Sequence, residues 1–141
     1  MLKLTAAIVL FITQLSGLDK LPQILVPQFH AASIQVGKKA EIRVSFTKVN
    51  DYAIDRTLAI TLKLTPVPGV RLVNLELKTS SDDPKSKDGY YVNLPILKIP
   101  LTASKTGRFE IPGKLTYYFC SEREGFCSRQ IIDVKIPITV Q

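Results

Sequence analysis

The segment 114–140, KLTYYFCSEREGFCSRQIIDVKIPITV, decides the fold, because apolar and polar residues alternate in it on both sides of a turn. The apolar set is Leu115, Tyr117 and Phe119 before the turn and Ile132, Val134, Ile136, Ile138 and Val140 after it. A period of two is typical of strands with one buried face. Six residues, including Gly125, separate Cys120 from Cys127, and a loop of this length can close a β-hairpin. The segment therefore predicts two antiparallel strands.

The same alternation recurs upstream. The alternating segments are 40–46, 57–64 and 73–77, the last with Val73, Leu75 and Leu77 as its apolar set. Residues 66–69 (PVPG) predict a turn, and the two prolines within the apolar run 90–101 suit an edge or bent strand. No segment shows a sustained helical period. The pattern predicts an all-β, immunoglobulin-like β-sandwich of about seven to nine antiparallel strands, with a small barrel as second choice.

Length and composition indicate one globular domain. A chain of 141 residues, 45% hydrophobic and 22% charged, can build a single core and is not of the disordered class. The net charge is +7, but the basic residues are scattered among apolar ones. This distribution fits a solvated strand face better than a nucleic-acid-binding stripe, so we expect no nucleic-acid partner.

The first residues have the pattern of an export signal. Lys3 gives a positive start, and residues 4–12 are almost wholly apolar, which predicts a secretory signal peptide over 1–17. The apolar centre is too short to span a bilayer comfortably. If the segment stays uncleaved it would be an amphipathic anchor, and only then do we expect membrane contact. We predict an extended lead-in over 18–30, a sandwich domain over 31–141, and a periplasmic or otherwise exported location.

Cys120 and Cys127 are the two cysteines of the chain. Directly opposed residues of antiparallel strands lie about 4.5–5.5 Å apart at Cα, which a disulfide can bridge. An exported compartment permits this oxidation. The strand phase points both sulfurs to the less buried face. The bond could be a hairpin staple that contributes about 2.5 kcal/mol, or a redox-active pair. No metal is expected, because two cysteines and the single His30 fall short of four ligands.

The hairpin motif also resembles a known family. Tyr117-Tyr118-Phe119-Cys120 followed by Gly125-Phe126-Cys127 is similar to the active-site hairpin of the N-terminal periplasmic domain of DsbD, the thiol:disulfide interchange protein. That family carries a tyrosine three residues before the first cysteine and often Gly-Phe before the second. Residues 69–72 and 99–101 lie at about the spacing expected of the same domain. The resemblance covers residues 31–141.

The resemblance implies an exported module without a bound cofactor, which passes reducing equivalents to or from a thioredoxin-like or membrane redox protein. Cys120 and Cys127 would be the catalytic pair and alternate between disulfide and dithiol, with Cys127 attacked by the partner. The residues expected around this active site are Tyr118, Phe126, Tyr90, Asp82 and Asp83. The alternative is a non-catalytic binding or adhesion β-sandwich with a purely structural hairpin disulfide. Whether the protein is an enzyme stays open at this point.

Overall fold

The computed structural model describes residues 22–79 and 89–141, which form nine strands in two sheets. The strands are β1 (Leu25–Ala31), β2 (Lys39–Lys48), β3 (Tyr52–Ile54), β4 (Thr61–Leu64), β5 (Val70–Leu72), β6 (Glu76–Lys78), β7 (Leu97–Ala103), β8 (Gly107–Ser121) and β9 (Phe126–Val140). Sheet A has the order β1-β2-β7-β5. Sheet B has the order β3-β8-β4-β6, and β9 pairs with β8. All strand pairs within the sheets are antiparallel, so the predicted all-β sandwich of about seven to nine antiparallel strands is confirmed.

The core lies between the inward faces of the two sheets. Strands β2, β7 and β8 and the second half of β9 contribute every second residue over most of their length, as the alternation predicts, and these side chains are almost completely buried. Examples are Ile42 and Val44 of β2, Ile99 of β7, Leu115 of β8 and Ile136 of β9. Burial of such aliphatic side chains contributes roughly 1.5–3 kcal/mol each and is the main force that holds the sheets together.

The β8–β9 hairpin is the longest strand pair of sheet B. Its two strands pair from Gly107↔Val140 to Ser121↔Phe126 without interruption. The opposite edge of β8 pairs with β4 along its middle and with β3 at its end. At Gly113 the neighbours come so close that an added Cβ would lie 3.0 Å from the carbonyl oxygen of Lys63 and 3.1 Å from Val134 Cγ2. A side chain there would require Lys63 O and Val134 to move by a few tenths of an ångström.

The sandwich begins earlier than residue 31. β1 covers the second half of the predicted lead-in and pairs with β2 from Leu25↔Lys48 to Ala31↔Ile42. After β1 the chain passes to the other sheet, where Ile34 forms a parallel bridge with Val140. Two prolines had made this segment look like a connection, but they lie outside β1 or on a strand at the edge of sheet A, where proline is tolerated.

Several apolar residues that alternate in sequence are exposed in the structure. Val73 and Leu75 are 67% and 49% exposed, so the single strand predicted over 73–77 is wrong. The chain there leaves sheet A after β5 and enters sheet B at β6. Leu58 is 45% exposed, and the strand predicted over 57–64 starts only at Thr61. The run 90–101 becomes a strand only from Leu97. Alternation does not distinguish a strand from an extended crossing between sheets.

Candidate functional site

The predicted disulfide is present and closes the end of the β8–β9 hairpin. Cys120 and Cys127 are directly opposed, and their Cα atoms lie 4.0 Å apart. The ladder continues beyond them to Ser121 and Phe126, so the turn itself contains only residues 122–125. Gly125 N donates to Ser121 O at 2.9 Å, and Gly125 has a φ of 69°, which favours glycine. The bond therefore lies inside a continuous strand pairing and not in a loose loop.

The two cysteines differ in their exposure. Both have the outward phase that the sequence predicts, but only Cys127 is exposed, whereas Cys120 is 6% exposed. Cys120 lies on β8 inside the sheet, with Ala53 of β3 on one side and Cys127 on the other. Local alternation gives Cys120 the same outward phase as the exposed Lys114 and therefore did not predict its burial.

A shallow depression of about 280 Å³ lies beside Cys127 on the outer face of sheet B. Leu58, Tyr118 and Arg129 contribute to its wall, and Asp55 borders it. Leu58 is 45% exposed, and Ile131, two residues beyond Arg129 on the same face of β9, is 51% exposed. The surface around the disulfide thus combines two aliphatic side chains, one aromatic ring and one guanidinium group. We call Leu58, Tyr118, Cys127, Arg129 and Ile131 the disulfide patch.

Asp55 supports this patch structurally. Its Oδ1 accepts hydrogen bonds from Thr57 N at 2.8 Å and Thr57 Oγ1 at 2.6 Å, which turns the chain after β3. The Asp55 amide donates to Tyr118 O at 2.9 Å and fastens this turn to β8. Asp55 Oδ1 therefore already accepts two hydrogen bonds from Thr57. The arrangement holds Leu58 beside Tyr118 and gives Asp55 a clear role in the fold.

An aromatic cluster fills the opposite, inward face of the hairpin end. The ring of Phe119 lies 5.7 Å from Tyr52, 6.2 Å from Phe126 and 6.3 Å from Tyr117, measured between centroids. Phe126 is therefore packed on the core side and does not share the outer face with the cysteines. Tyr117 and Phe119 are core residues, as their phase indicates. Of the aromatic residues predicted near the disulfide, Tyr118 alone lines the depression beside Cys127.

Tyr90 is not part of the wall of the depression beside Cys127. Tyr90 lines a different depression of about 360 Å³, together with Tyr52 and Glu122. Asp82 and Asp83 lie outside the described residues. His30 is on sheet A, with Nε2 3.4 Å from Ser45 Oγ. Across residues 22–79 and 89–141, no three His, Cys, Asp or Glu side chains lie together as metal ligands would. No helix in this part of the chain is long and apolar enough to cross a membrane.

Leu58 and Ile131 are site residues that the sequence pattern did not reveal as such. Leu58 belongs to an alternating segment and was expected in the core. Ile131 occupies an outward position of β9 between the charged Arg129 and Asp133. An apolar residue in a charged outward set is the sequence signal that could have identified it.

No protein-family model matches the chain, and no curated protein matches it. Among solved structures, the chain is similar to a cohesin module from Clostridium perfringens ATCC13124 family 33 glycoside hydrolase. The identity is 11% and the TM-score 0.40, and the match covers 85% of this chain and 100% of that chain. A similarity at this level carries no inference about what the present chain binds.

Proposed function

We propose that the chain is a non-catalytic binding or adhesion module, whose disulfide holds the end of the β8–β9 hairpin while the disulfide patch contacts a protein partner. One observation carries the structural role of the bond: Cys120 is 6% exposed and paired on both sides within sheet B. Exchange chemistry releases one sulfur as a thiolate. Release of Cys120 as a thiolate would put a charge in a covered position, which is unfavourable.

The composition of the disulfide patch supports a protein partner. Aromatic and arginine side chains are enriched at protein interfaces, and hot spots form where they become fully desolvated. Leu58 and Ile131 leave about half of their surface in water, and Tyr118 is half-buried between them and the disulfide. A partner that covers these side chains gains binding free energy from apolar burial. The loss of conformational entropy is small, because the strands already hold the side chains in place.

A displayed random-peptide library tests the binding role. Peptides would be selected on the intact protein and then measured on the Leu58→Asp variant, with Val73→Asp as matched control. Both are exposed apolar residues, but Val73 follows β5 of sheet A. We expect the selected peptides to bind Leu58→Asp at least about tenfold more weakly, since a carboxylate cannot be desolvated cheaply, and to bind Val73→Asp as the parent. Equal binding to both variants, or failure to select any peptide, would contradict the proposal.

Thiol–disulfide exchange is the second candidate, and the exposure of Cys127 favours it. Cys127 borders an open depression, and it is the cysteine that the resemblance to the DsbD N-terminal domain designates for attack. In this reaction a partner thiolate would attack Cys127 Sγ. A mixed disulfide would form as the Cys120–Cys127 bond breaks, and Cys120 would leave as a thiolate that takes up a proton. The resulting mixed disulfide is then resolved by a second thiol.

A trapping experiment tests this second candidate. The Cys120→Ser variant would be mixed with a thioredoxin that lacks its resolving cysteine and carries a thionitrobenzoate leaving group. Exchange through Cys127 predicts rapid release of thionitrobenzoate and a covalent complex, whereas the Cys127→Ser variant should react much more slowly because its thiol is buried. Equal and slow reaction of the two variants would exclude exchange. Both candidate functions imply an exported, oxidising location, because disulfides persist there.

A further inference from the structure

The outer face of sheet A carries an unbalanced positive charge. Lys39 and Arg43 of β2, Arg71 of β5 and Lys98 of β7 are all exposed there. Glu41 is the only acidic residue in β1, β2, β5 and β7, all of which belong to the described chain. Lys78–Glu76 and Lys114–Asp133 form ion pairs on sheet B, whereas no cation of β1, β2, β5 or β7, strands that the structure describes in full, forms one. The cations of sheet A are therefore not neutralised by pairs of this kind.

The contrast is sharpest when equivalent rows of the two sheets are compared. In sheet A, His30, Arg43 and Lys98 follow one another in register across three strands. In sheet B the row is Glu76, Lys63, Lys114 and Asp133, where each outer acid stands beside a lysine and Lys114 Nζ lies 3.5 Å from Asp133 Oδ1. Like charges directly opposite each other destabilise a sheet. In this row sheet B combines two lysines, Lys63 and Lys114, with two flanking acids, whereas the row of sheet A has no acid beside Arg43 and Lys98.

The other side chains on this face limit the classes of partner that it can bind. The two phenylalanines of sheet A, Phe29 and Phe46, have the inward phase, so its strands offer no aromatic platform on which bases or sugar rings could stack. Exposed aliphatic residues border the cations instead. They are Val26, Ile96 and Val73, which are 39%, 50% and 67% exposed. Cations surrounded by aliphatic side chains fit a surface that is anionic outside and apolar just beneath.

We propose that the outer face of sheet A docks on an anionic lipid bilayer. The guanidinium and ammonium groups would contact headgroup phosphates, and the bordering aliphatic side chains would rest at the boundary with the acyl chains. Anionic headgroups would also relieve the repulsion between Arg43 and Lys98. This surface is opposite the disulfide patch, so membrane docking and partner binding do not compete, and either can fail without the other.

Vesicle sedimentation of the full chain tests the docking face. Vesicles of phosphatidylglycerol and phosphatidylcholine would be compared with vesicles of phosphatidylcholine alone. Lys98→Glu is the test variant and Lys114→Glu the control, because both change the net charge equally but lie on opposite sheets. Each surface cation strengthens attraction to an anionic membrane about fivefold, so we expect Lys98→Glu to weaken binding about 25-fold. Lys114→Glu should bind within about twofold of the parent, because charges more than a Debye length from the membrane are screened.

The neutral variant Arg43→Gln should weaken binding about fivefold, in the same direction as Lys98→Glu. The N-terminal segment is common to all variants, so its contribution cancels in the comparison. Preference for the anionic vesicles, lost in Lys98→Glu and kept in Lys114→Glu, would support the proposal. Equal losses in both variants would show an effect of net charge alone and overturn it. No preference for anionic lipid, or binding to soluble heparin without binding to vesicles, would also overturn it.

Discussion

The hydroxyl group of Tyr117 joins three parts of the chain that are far apart in sequence. It accepts hydrogen bonds from Ile24 N at 3.2 Å and Leu25 N at 3.1 Å, and it donates to Gln130 Oε1. Gln130 Nε2 in turn donates to Pro22 O at 3.2 Å. The network fastens the start of β1 to the β8–β9 hairpin and thus connects the two sheets. Buried polar groups that are fully paired in this way favour one arrangement of the chain.

Replacement of Tyr117 by phenylalanine should destabilise the protein by about 1–3 kcal/mol, because the Leu25 amide would lose its acceptor inside the fold, whereas the Ile24 amide would keep Gln130 Oε1. Chemical denaturation would measure the loss. Tyr118→Phe is the matched control, since the Tyr118 side chain faces outward, and it should change stability by no more than about 0.5 kcal/mol. If the two variants unfold at the same denaturant concentration, the hydroxyl network does not stabilise the fold.

The same residue predicts a dependence on alkaline pH. Burial raises the pKa of Tyr117 above its ordinary value of 10.0, although the hydrogen bonds from Leu25 and Ile24 lower it. The folded chain therefore holds this proton more tightly than the unfolded chain. Its contribution to stability is complete below pH 10.0 and is lost as the pH rises through the raised pKa. Denaturation above pH 10.0 should show a smaller loss for Tyr117→Phe than for the parent, and equal losses would contradict this.

At the scale of elements, two features stabilise the β8–β9 hairpin: its disulfide and the close packing at Gly113. Cys120 and Cys127 close a short loop, so their replacement by alanine in both positions should cost about 2.5 kcal/mol through loop entropy. The strand ladder remains in place, and we expect an unchanged far-ultraviolet circular dichroism spectrum with a lower melting temperature. Loss of the β spectrum in the double variant would show that the bond is required for the fold itself.

Gly113→Ala should also destabilise the hairpin, by about 1–3 kcal/mol, since the new methyl group meets the Lys63 carbonyl oxygen and Val134. Glu110→Ala, at an exposed position of the same strand, is the control and should stay within about 0.5 kcal/mol of the parent. Thermal unfolding of both variants would compare them directly. A Gly113→Ala variant as stable as the control would mean that β4 and β8 can move apart without cost.

The strands differ in how well their own sequences predict them. The hairpin could be predicted because its alternation is uninterrupted and its partner strands are adjacent in sequence. The crossing between β5 and β6 could not be predicted, because Val73 and Leu75 alternate as buried residues do although both are exposed in the connection from sheet A to sheet B. β1 was not predicted as a strand because it contains a proline. It lies at the edge of sheet A, where proline is tolerated and the outward residues need not be strongly polar.

For the whole molecule, the class of fold and the location of the disulfide followed from periodicity, whereas the character of its surfaces did not. The pairing of Cys120 with Ala53 of β3 and the proximity of Leu58 to Tyr118 depend on contacts between distant segments. The unpaired row of His30, Arg43 and Lys98 likewise exists only once three strands are in register. The sandwich therefore presents the disulfide patch on one outer face and the row of His30, Arg43 and Lys98 on the other.

The reduction potential of the Cys120–Cys127 pair, measured by equilibration with glutathione buffers, tests the central claim most directly. A structural bond held in place by a continuous ladder should have a potential below about −300 mV, as is typical of structural disulfides in exported proteins. A potential at or above about −270 mV, the value of thioredoxin, would contradict the structural role and favour thiol–disulfide exchange through Cys127.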